Sequence, residues 1–367
     1  MSLSKVIFEL VVGLVLWLVG AVVYMMVFDQ GPGQGGGQTR RERIRELLRN
    51  RRAAGQPPLA QPGAPPAANT AGDIEHFLLH QGRRRRYLVH VPRGFDGSRK
   101  LPVVLGFHGG GGHAEGLRAM SRLNDTSDRF GFLMVYPDGT GFTGRFLTFN
   151  ALTCCGYAER NKVDDVGFVR ALLDELAVNY PVDSRRVYAT GLSNGAMLCY
   201  RLAAELSDRI TAIAPVAGDM GVLGPVPKRP VPVMHFHGLK DPNALFHGGV
   251  GKNQLQPNPH RSIPETIAWW VKVNGCAEQP VEEEQGAEFI RKRYAPPPGK
   301  TGAPVILYVL PEGGHNWPGG VDTTARLGTG RLIASVDAST LMWKFFEQFA
   351  LDTAPGELPR SAANVEE

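Results

Sequence analysis

Between Leu101 and Phe349, short apolar runs of β type alternate with segments patterned as helices, and this alternation restricts the possible folds more than any other feature. The runs are LPVVLGF, FLMVYP, RVYAT, VPVMHF and VILYVL; the helical patterns lie near 117–130, over 164–180, from 196, near 264–273 and over 338–349. Strands that are mainly apolar, separated by helices, predict βαβ units and a mostly parallel sheet covered on both faces. In DDVGFVRALLDELAVNY the residues Val166, Val169, Leu172, Leu173, Leu176 and Tyr180 make one apolar stripe, and Asp164 or Asp165 stands where a helix cap is needed. At the other end, Asp337 can cap a helix that turns Leu341, Met342, Phe345, Phe346 and Phe349 inward.

The 367-residue chain, 43% apolar, divides into four stretches. Residues 6–28 carry a single ionisable side chain, Glu9, and as a helix would cross a bilayer, so 1–28 reads as a membrane anchor, a cleaved signal segment being the alternative. Residues 29–72 are a linker rich in Gly, Pro and Ala, too polar to form a core. Its RRERIRELLRNRR stretch suits either a cationic amphipathic helix at a membrane surface or a solvated linker. The folded domain is expected over 73–352, with a loose tail at 353–367.

Charge gives no support for a nucleic-acid partner. The net charge is +5, but residues 1–72 hold eight Lys and Arg against four Asp and Glu, which leaves +1 for the folded part. The Arg83–Arg86 run lies between HFLLH and YLVHVP, beside a Gln-Gly turn, and reads as the solvated side of an N-terminal hairpin. Four cysteines suit an exported domain with one or two bridges, and a bond from Cys154 or Cys155 to Cys276 is expected, with Cys199 a buried free thiol.

The chemistry centres on VYATGLSNGAM. Ser193 sits between Gly191 and Gly195 at a strand-to-helix junction, where missing Cβ atoms let the chain reverse and lift the hydroxyl clear of the sheet. Capping of the following helix is the plainer role for such a serine. A nucleophilic hydroxyl needs a base, the base an orienting acid, and the developing oxyanion needs N–H donors. In open α/β sheets these collect beyond the carboxyl ends of strands. Asp241 follows VPVMHF and His315 follows VILYVL, giving the chain order Ser193, Asp241, His315 of α/β-hydrolases. His108 and Gly109 to Gly112 follow an early strand, placing Gly109 or Gly110, with Asn194, as oxyanion donors. Asp138, Asp164 and Asp165 compete as acids but fit turn or cap roles. His235 and His237 share a strand face and with Asp241 could begin a metal site, but no further ligand cluster accompanies them, and packing around the Asp241 loop accounts for them.

These residues resemble the polyhydroxybutyrate depolymerase-like esterases, which include feruloyl and acetyl-xylan esterases of carbohydrate esterase family one. The resemblance spans roughly 74–350 and rests on FHGGGGHAEG, FLMVYPDGT, CCGYAERNKVDDVGFVRALLDEL, RVYATGLSNGAMLCYRLAAEL, SIPETIAWWVKVNGC, EGGHNWPGG and DASTLMWKFF. It implies a serine carboxylic-ester hydrolase of α/β-hydrolase fold, without cofactor or metal, with Ser193 as nucleophile, Asp241 as acid and His315 as base. His108 would then border the ester substrate, and Trp317 would lie beside it or serve equally as a packing residue. Export and a catalytic domain outside the cytoplasm are also implied. Acyltransferases and serine peptidases share every one of these residues, and a non-catalytic binding domain is a further alternative. Two segments depart from the resemblance, NALFHGG after HGLKDP and FNALTCCG, and these affect the acyl or alcohol preference.

Overall fold

The computed structural model describes residues 72–142, 146–252, 259–323 and 328–352. The expected hairpin is present: β1 (Gly72–His80) and β2 (Arg83–Val91) pair antiparallel, with His80 opposite Arg83. Gln81 and Gly82 join them at φ 47° and 72°. Two successive positive φ values match the twist of the strands, so the turn sets the register.

The arginine run on this hairpin departs from the expected solvated face. Arg84 is exposed over the Phe77 ring, but alternation turns Arg85 inward until it is 2% exposed. Its Nη2 donates to Asp165 Oδ1 at 2.6 Å and to the Asp138 carbonyl at 3.1 Å, and its guanidinium lies 3.8 Å from the centre of the Phe168 ring. Asp165 also accepts from the Asn150 backbone N–H at 2.7 Å. The buried cation went unrecognised because its carboxylate partner is 80 positions away in sequence.

Downstream come β3 (Leu101–Phe107), α1 (Ala114–Ser121), α2 (Leu123–Phe130), β4 (Leu133–Pro137), α3 (Gly156–Arg160), α4 (Asp165–Asn179) and β5 (Val182–Leu192). Then follow α5 (Asn194–Glu205), β6 (Ala212–Val216), β7 (Val233–Gly238), α6 (Ile263–Val273), β8 (Glu282–Gln285), β9 (Ile290–Tyr294), β10 (Val305–Leu310) and α7 (Ala338–Phe346). All ten strands form one sheet in the order β1-β2-β4-β3-β5-β6-β7-β10-β9-β8. The run from β4 to β10 is parallel, as the alternation predicts, and an antiparallel hairpin closes each edge.

Helices cover both faces. On one, Phe168 and Leu172 of α4, Leu198 and Leu202 of α5, and Trp270 of α6 pack with Val103 and Leu105; on the other, Leu117, Leu123, Trp343 and Phe346 pack with Val104, Tyr136 and Tyr188. Asp164 caps α4, accepting from Gly167 N–H at 2.9 Å, while Asp165 serves the ion pair. The single helix expected near 117–130 is two, broken at Arg122, whose φ of 56° is left-handed. The carbonyl of Ser121 is thereby freed and accepts from Ser339 Oγ at 2.7 Å.

The expected membrane segment, the linker up to residue 71 and the tail lie outside the described residues, while Gly72, expected to end the linker, begins β1. Among the described residues no helix is long and apolar enough to cross a membrane. Removing one member of a buried ion pair leaves a charge uncompensated. Asp165→Asn is therefore expected to lower the unfolding free energy by about 3 kcal/mol, and the loss of the Asp164 cap in Asp164→Ala by about 1 kcal/mol. Urea unfolding measures both, and an unchanged midpoint in Asp165→Asn would remove Arg85–Asp165 from the stabilising contacts.

Candidate active site

Four parallel strands finish on one edge of the sheet, and each hands over a loop with a chemical group: β3 leads into His108–Gly112, β5 into Ser193, β7 into Asp241 and β10 into His315. Ser193 occupies the sharp turn between β5 and α5, at φ 56° and ψ −119°. A side chain is strained there and stays only if its surroundings over-determine it. They do. Its N–H donates to Val216 O and its carbonyl accepts from Met197 N–H, both at 2.9 Å. Neither glycine flank tolerates a Cβ: one on Gly191 would lie 2.7 Å from Phe107 O, and one on Gly195 would collide with the same carbonyl.

The acid and base meet as expected. His315 Nδ1–H donates to Asp241 Oδ2 at 2.7 Å, and Asp241 Oδ1 accepts from the backbone N–H groups of Asn243 and Ala244 at 2.8 and 2.9 Å. Burial works against the Asp241 charge, but His315, His237 and the Asn243 N–H together hold its pKa below the ordinary carboxylate value. With Nδ1 committed, the neutral imidazole of His315 has its lone pair on Nε2. Ser193 and His315 border the same cavity, of about 490 Å³.

Behind Asp241 lies a buried chain whose proton positions follow from one carbonyl. His237 Nε2 is 2.7 Å from Ala244 O and 3.5 Å from Asp241 Oδ2, both acceptors, so Nε2 carries the hydrogen. His237 Nδ1 then accepts from His235 Nε2 at 3.1 Å, and His235 Nδ1 accepts from the Tyr200 hydroxyl at 2.8 Å. Both imidazoles are neutral, burial pushing the His237 pKa down and that of His235 far down. Each ring nitrogen has a partner, which accounts for both histidines structurally. Among the described residues no group of His, Cys, Asp and Glu could hold a metal.

The glycine loop sits against the turn: a Cβ built on Gly109 would be 3.5 Å from the Cβ of Ser193. His108, expected beside the substrate, does border the cavity, and its nitrogens are both spent on backbone, Nε2 accepting from Gly139 N–H at 3.0 Å and Nδ1 donating to Gly109 O at 2.7 Å. Burial lowers its pKa to about 4, so the ring is a neutral brace for the loop. Asn194 likewise braces with its side chain: Oδ1 accepts from Phe149 N–H at 2.7 Å, and Nδ2 donates to the carbonyls of Phe149 at 2.9 Å and Cys154 at 3.2 Å. Its backbone N–H is a first-turn amide of α5, at the positive end of the helix dipole. Asp138 is a brace as well, its Oδ1 accepting from Ala114 N–H and its Oδ2 from Arg86 Nη1, both at 2.7 Å.

Two expectations are corrected. Trp317 is 1% exposed, packed in the core with its indole N–H donating to Ser339 Oγ at 3.0 Å, and is not among the residues bordering the cavity. The cysteine bridge joins Cys154 to its neighbour Cys155, and Cys276 is a free thiol 3.0 Å from Ala303 O. That disulfide borders the cavity, and Leu117, Met120, Leu192 and Met197 are apolar residues of the same wall. Cys199 is a buried free thiol, as expected. A second aspartate–histidine pair, Asp219 and His260, went unforeseen, because Ala212–Val216 is a short alanine- and proline-containing strand with little β signal.

A family model described as Esterase PHB depolymerase matches residues 86–253. NocK from Nocardia uniformis subsp. tsuyamanensis, which bears the name of an esterase, is 31% identical over 310 residues, 75% of this chain and 88% of its own length. Feruloyl esterase B of Piromyces equi is 29% identical over 63% of this chain, which spans 42% of that protein. Poly(3-hydroxyalkanoate) depolymerase C of Paucimonas lemoignei is 24% identical over 74% of this chain and 69% of its own.

Three buried neutral histidines make the site acid-sensitive. With folded pKa values below the unfolded value of about 6.5, the unfolded chain takes up protons first as pH falls, so stability is complete above that pH and is lost on acidification. His108 alone should remove about 2 kcal/mol between pH 6.5 and 5. Urea titrations at pH 7.5, 6 and 5 should show the fall, and His108→Gln a shallower one; stability flat across this range contradicts the neutral assignment.

Proposed function

We propose, for a chain that belongs to the esterase PHB depolymerase family and is a carboxylic ester hydrolase, that hydrolysis runs through a Ser193–His315–Asp241 triad and an acyl-enzyme. The observation that carries this reading is the opening of two independently held parts into one cavity: the strained turn bearing Ser193, and the imidazole whose Nδ1 is fixed by Asp241. His315 Nε2 takes the proton of the Ser193 hydroxyl as its oxygen attacks the carbonyl. The negative charge developing on the carbonyl oxygen is met by the backbone N–H of Asn194 and that of Gly109 or Gly110, donors already in place before reaction. His315 then protonates the departing alkoxide, and the same imidazole removes a proton from the water that releases the acid.

The proposed substrates are esters with a sizeable apolar part, since Leu117, Met120, Leu192 and Met197 border the cavity. Aryl esters of the feruloyl kind and hydroxyalkanoate oligomers are the classes that the relatives' names suggest. A panel of short p-nitrophenyl esters, methyl ferulate, acetylated xylan and hydroxybutyrate oligomers compares them. Ser193→Ala and His315→Ala should each lower turnover by roughly 10⁴ to 10⁶ with the fold intact, and Asp241→Asn by about 10⁴, because the amide no longer dictates the tautomer. A folded Ser193→Ala enzyme that keeps most of its activity defeats the proposal.

Residues 6–28 and the Cys154–Cys155 bond support placing the domain outside the cytoplasm on a membrane anchor. The arginines that begin at Arg40 oppose this orientation, though an uncharged glycine-rich stretch separates them from the span. An alkaline phosphatase fusion after Leu351 is expected to be active; activity only from a cytoplasmic reporter reverses the topology.

A further inference from the structure

The cavity has a second imidazole held as firmly as the first. Asp219 follows the end of β6 by three residues, the offset at which Asp241 follows β7. It is 1% exposed, and its two oxygens are separately engaged: Oδ1 accepts from His260 Nδ1, and Oδ2 from the Arg261 backbone N–H at 2.9 Å. The His260 backbone is pinned as well, exchanging hydrogen bonds of 2.8 and 2.9 Å with Gly249. His260 borders the cavity together with Ser193 and His315. No hydrogen bond to Nε2 of His260 is made by the described residues.

A carboxylate only accepts, so Nδ1 of His260 carries a hydrogen, and whenever the ring holds a single proton Nε2 presents a lone pair. The same cavity is bordered by apolar groups, Ala244, Pro259, Met197 and the Cys154–Cys155 disulfide, and by the polar Thr153, Asn243 and Thr329. An oriented acceptor on this wall suits a donor on an otherwise apolar ligand.

We propose that His260, fixed by Asp219, is a substrate-binding residue that accepts a hydrogen bond from a hydroxyl group on the ester, at a position remote from the scissile bond. This rests on the ester-hydrolase reading and names the polar group that the cavity selects. The hydroxyl is phenolic or alcoholic, and it belongs to the acyl or to the alcohol part of the ester; matched substrates separate these sources.

The pairs are methyl 4-hydroxycinnamate with methyl cinnamate, p-nitrophenyl 3-hydroxybutyrate with p-nitrophenyl butyrate, and glyceryl butyrate with propyl butyrate. The readout is the ratio of kcat/KM within each pair, which is independent of how much enzyme is folded. His260→Asn places an amide nitrogen near Nδ1, so Asp219 keeps a donor while Nε2 is lost. In at least one pair it should cut the ratio by roughly 10- to 100-fold, the effect of leaving one hydrogen bond unmade in an apolar site. His260→Gln, whose amide reaches the Nε2 position, should restore part of that ratio. Ratios unchanged in all three pairs overturn the proposal, as does a loss confined to a carboxylate-bearing ester such as p-nitrophenyl hemisuccinate, which would mean a cationic ring binding an anion. If Ser193→Ala abolishes cleavage of methyl cinnamate and propyl butyrate, the hydrolase reading stands whichever way His260 falls.

Discussion

Everything at the site depends on how closely the first turn of α5 approaches the end of β3. Gly195 lies over the carbonyl of Phe107 with no room for a side chain, and Gly191 is almost as tight. That contact holds Ser193 in a conformation that an isolated peptide would abandon, and it brings the glycine loop after Phe107 against the serine. Position and strain are thus one fact. The two cores that flank the sheet, with Phe107 and Leu198 in one and Leu192 and Tyr188 in the other, supply the rigidity that keeps such a turn from relaxing.

Rigidity extends outward through side chains whose polar atoms are spent on backbone groups. His108 ties the glycine loop to Gly139, and Asn194 ties the start of α5 to Phe149 and Cys154. The disulfide wall is therefore attached to the residue immediately after the serine. A ligand entering the cavity meets an apolar surface that cannot move without disturbing the amide next to the nucleophile. Fixed dipoles act on developing charge only if they do not have to reorganise, which is what this bracing secures.

Much of this was legible in the sequence, because the signals were local. Alternation of LPVVLGF-type runs with amphipathic helices reports the parallel sheet, and glycines flanking Ser193 report the turn. What escaped was set by distant partners or by weak patterns. Arg85 reads as one of four surface arginines until Asp165 is placed beneath it. Trp317 stands two residues from His315, but its indole is directed by Ser339 into the core. β8 and β9 lack apolar alternation altogether. Their pairing is one of charge, Glu282 opposite Arg293, Glu283 opposite Lys292 and Glu284 opposite Arg291, which hydropathy does not register. β6 is too short and too rich in alanine to stand out, so Asp219 was never seen to end a strand.

The chain from Tyr200 through His235 and His237 to Ala244 has a direction. Every hydrogen points the same way because the last acceptor is a carbonyl that cannot donate, and no member can reverse alone without setting two donors or two acceptors against each other. These side chains therefore form a single inheritable unit. A drift that replaced one of them with an apolar residue would strand its neighbour in the interior beside Asp241, whereas replacing all three together would leave only the Ala244 carbonyl without its donor. Variation at positions 200, 235 and 237 is accordingly expected to be concerted, and an engineer who redesigns the floor beneath the Asp241 loop must treat them as one choice.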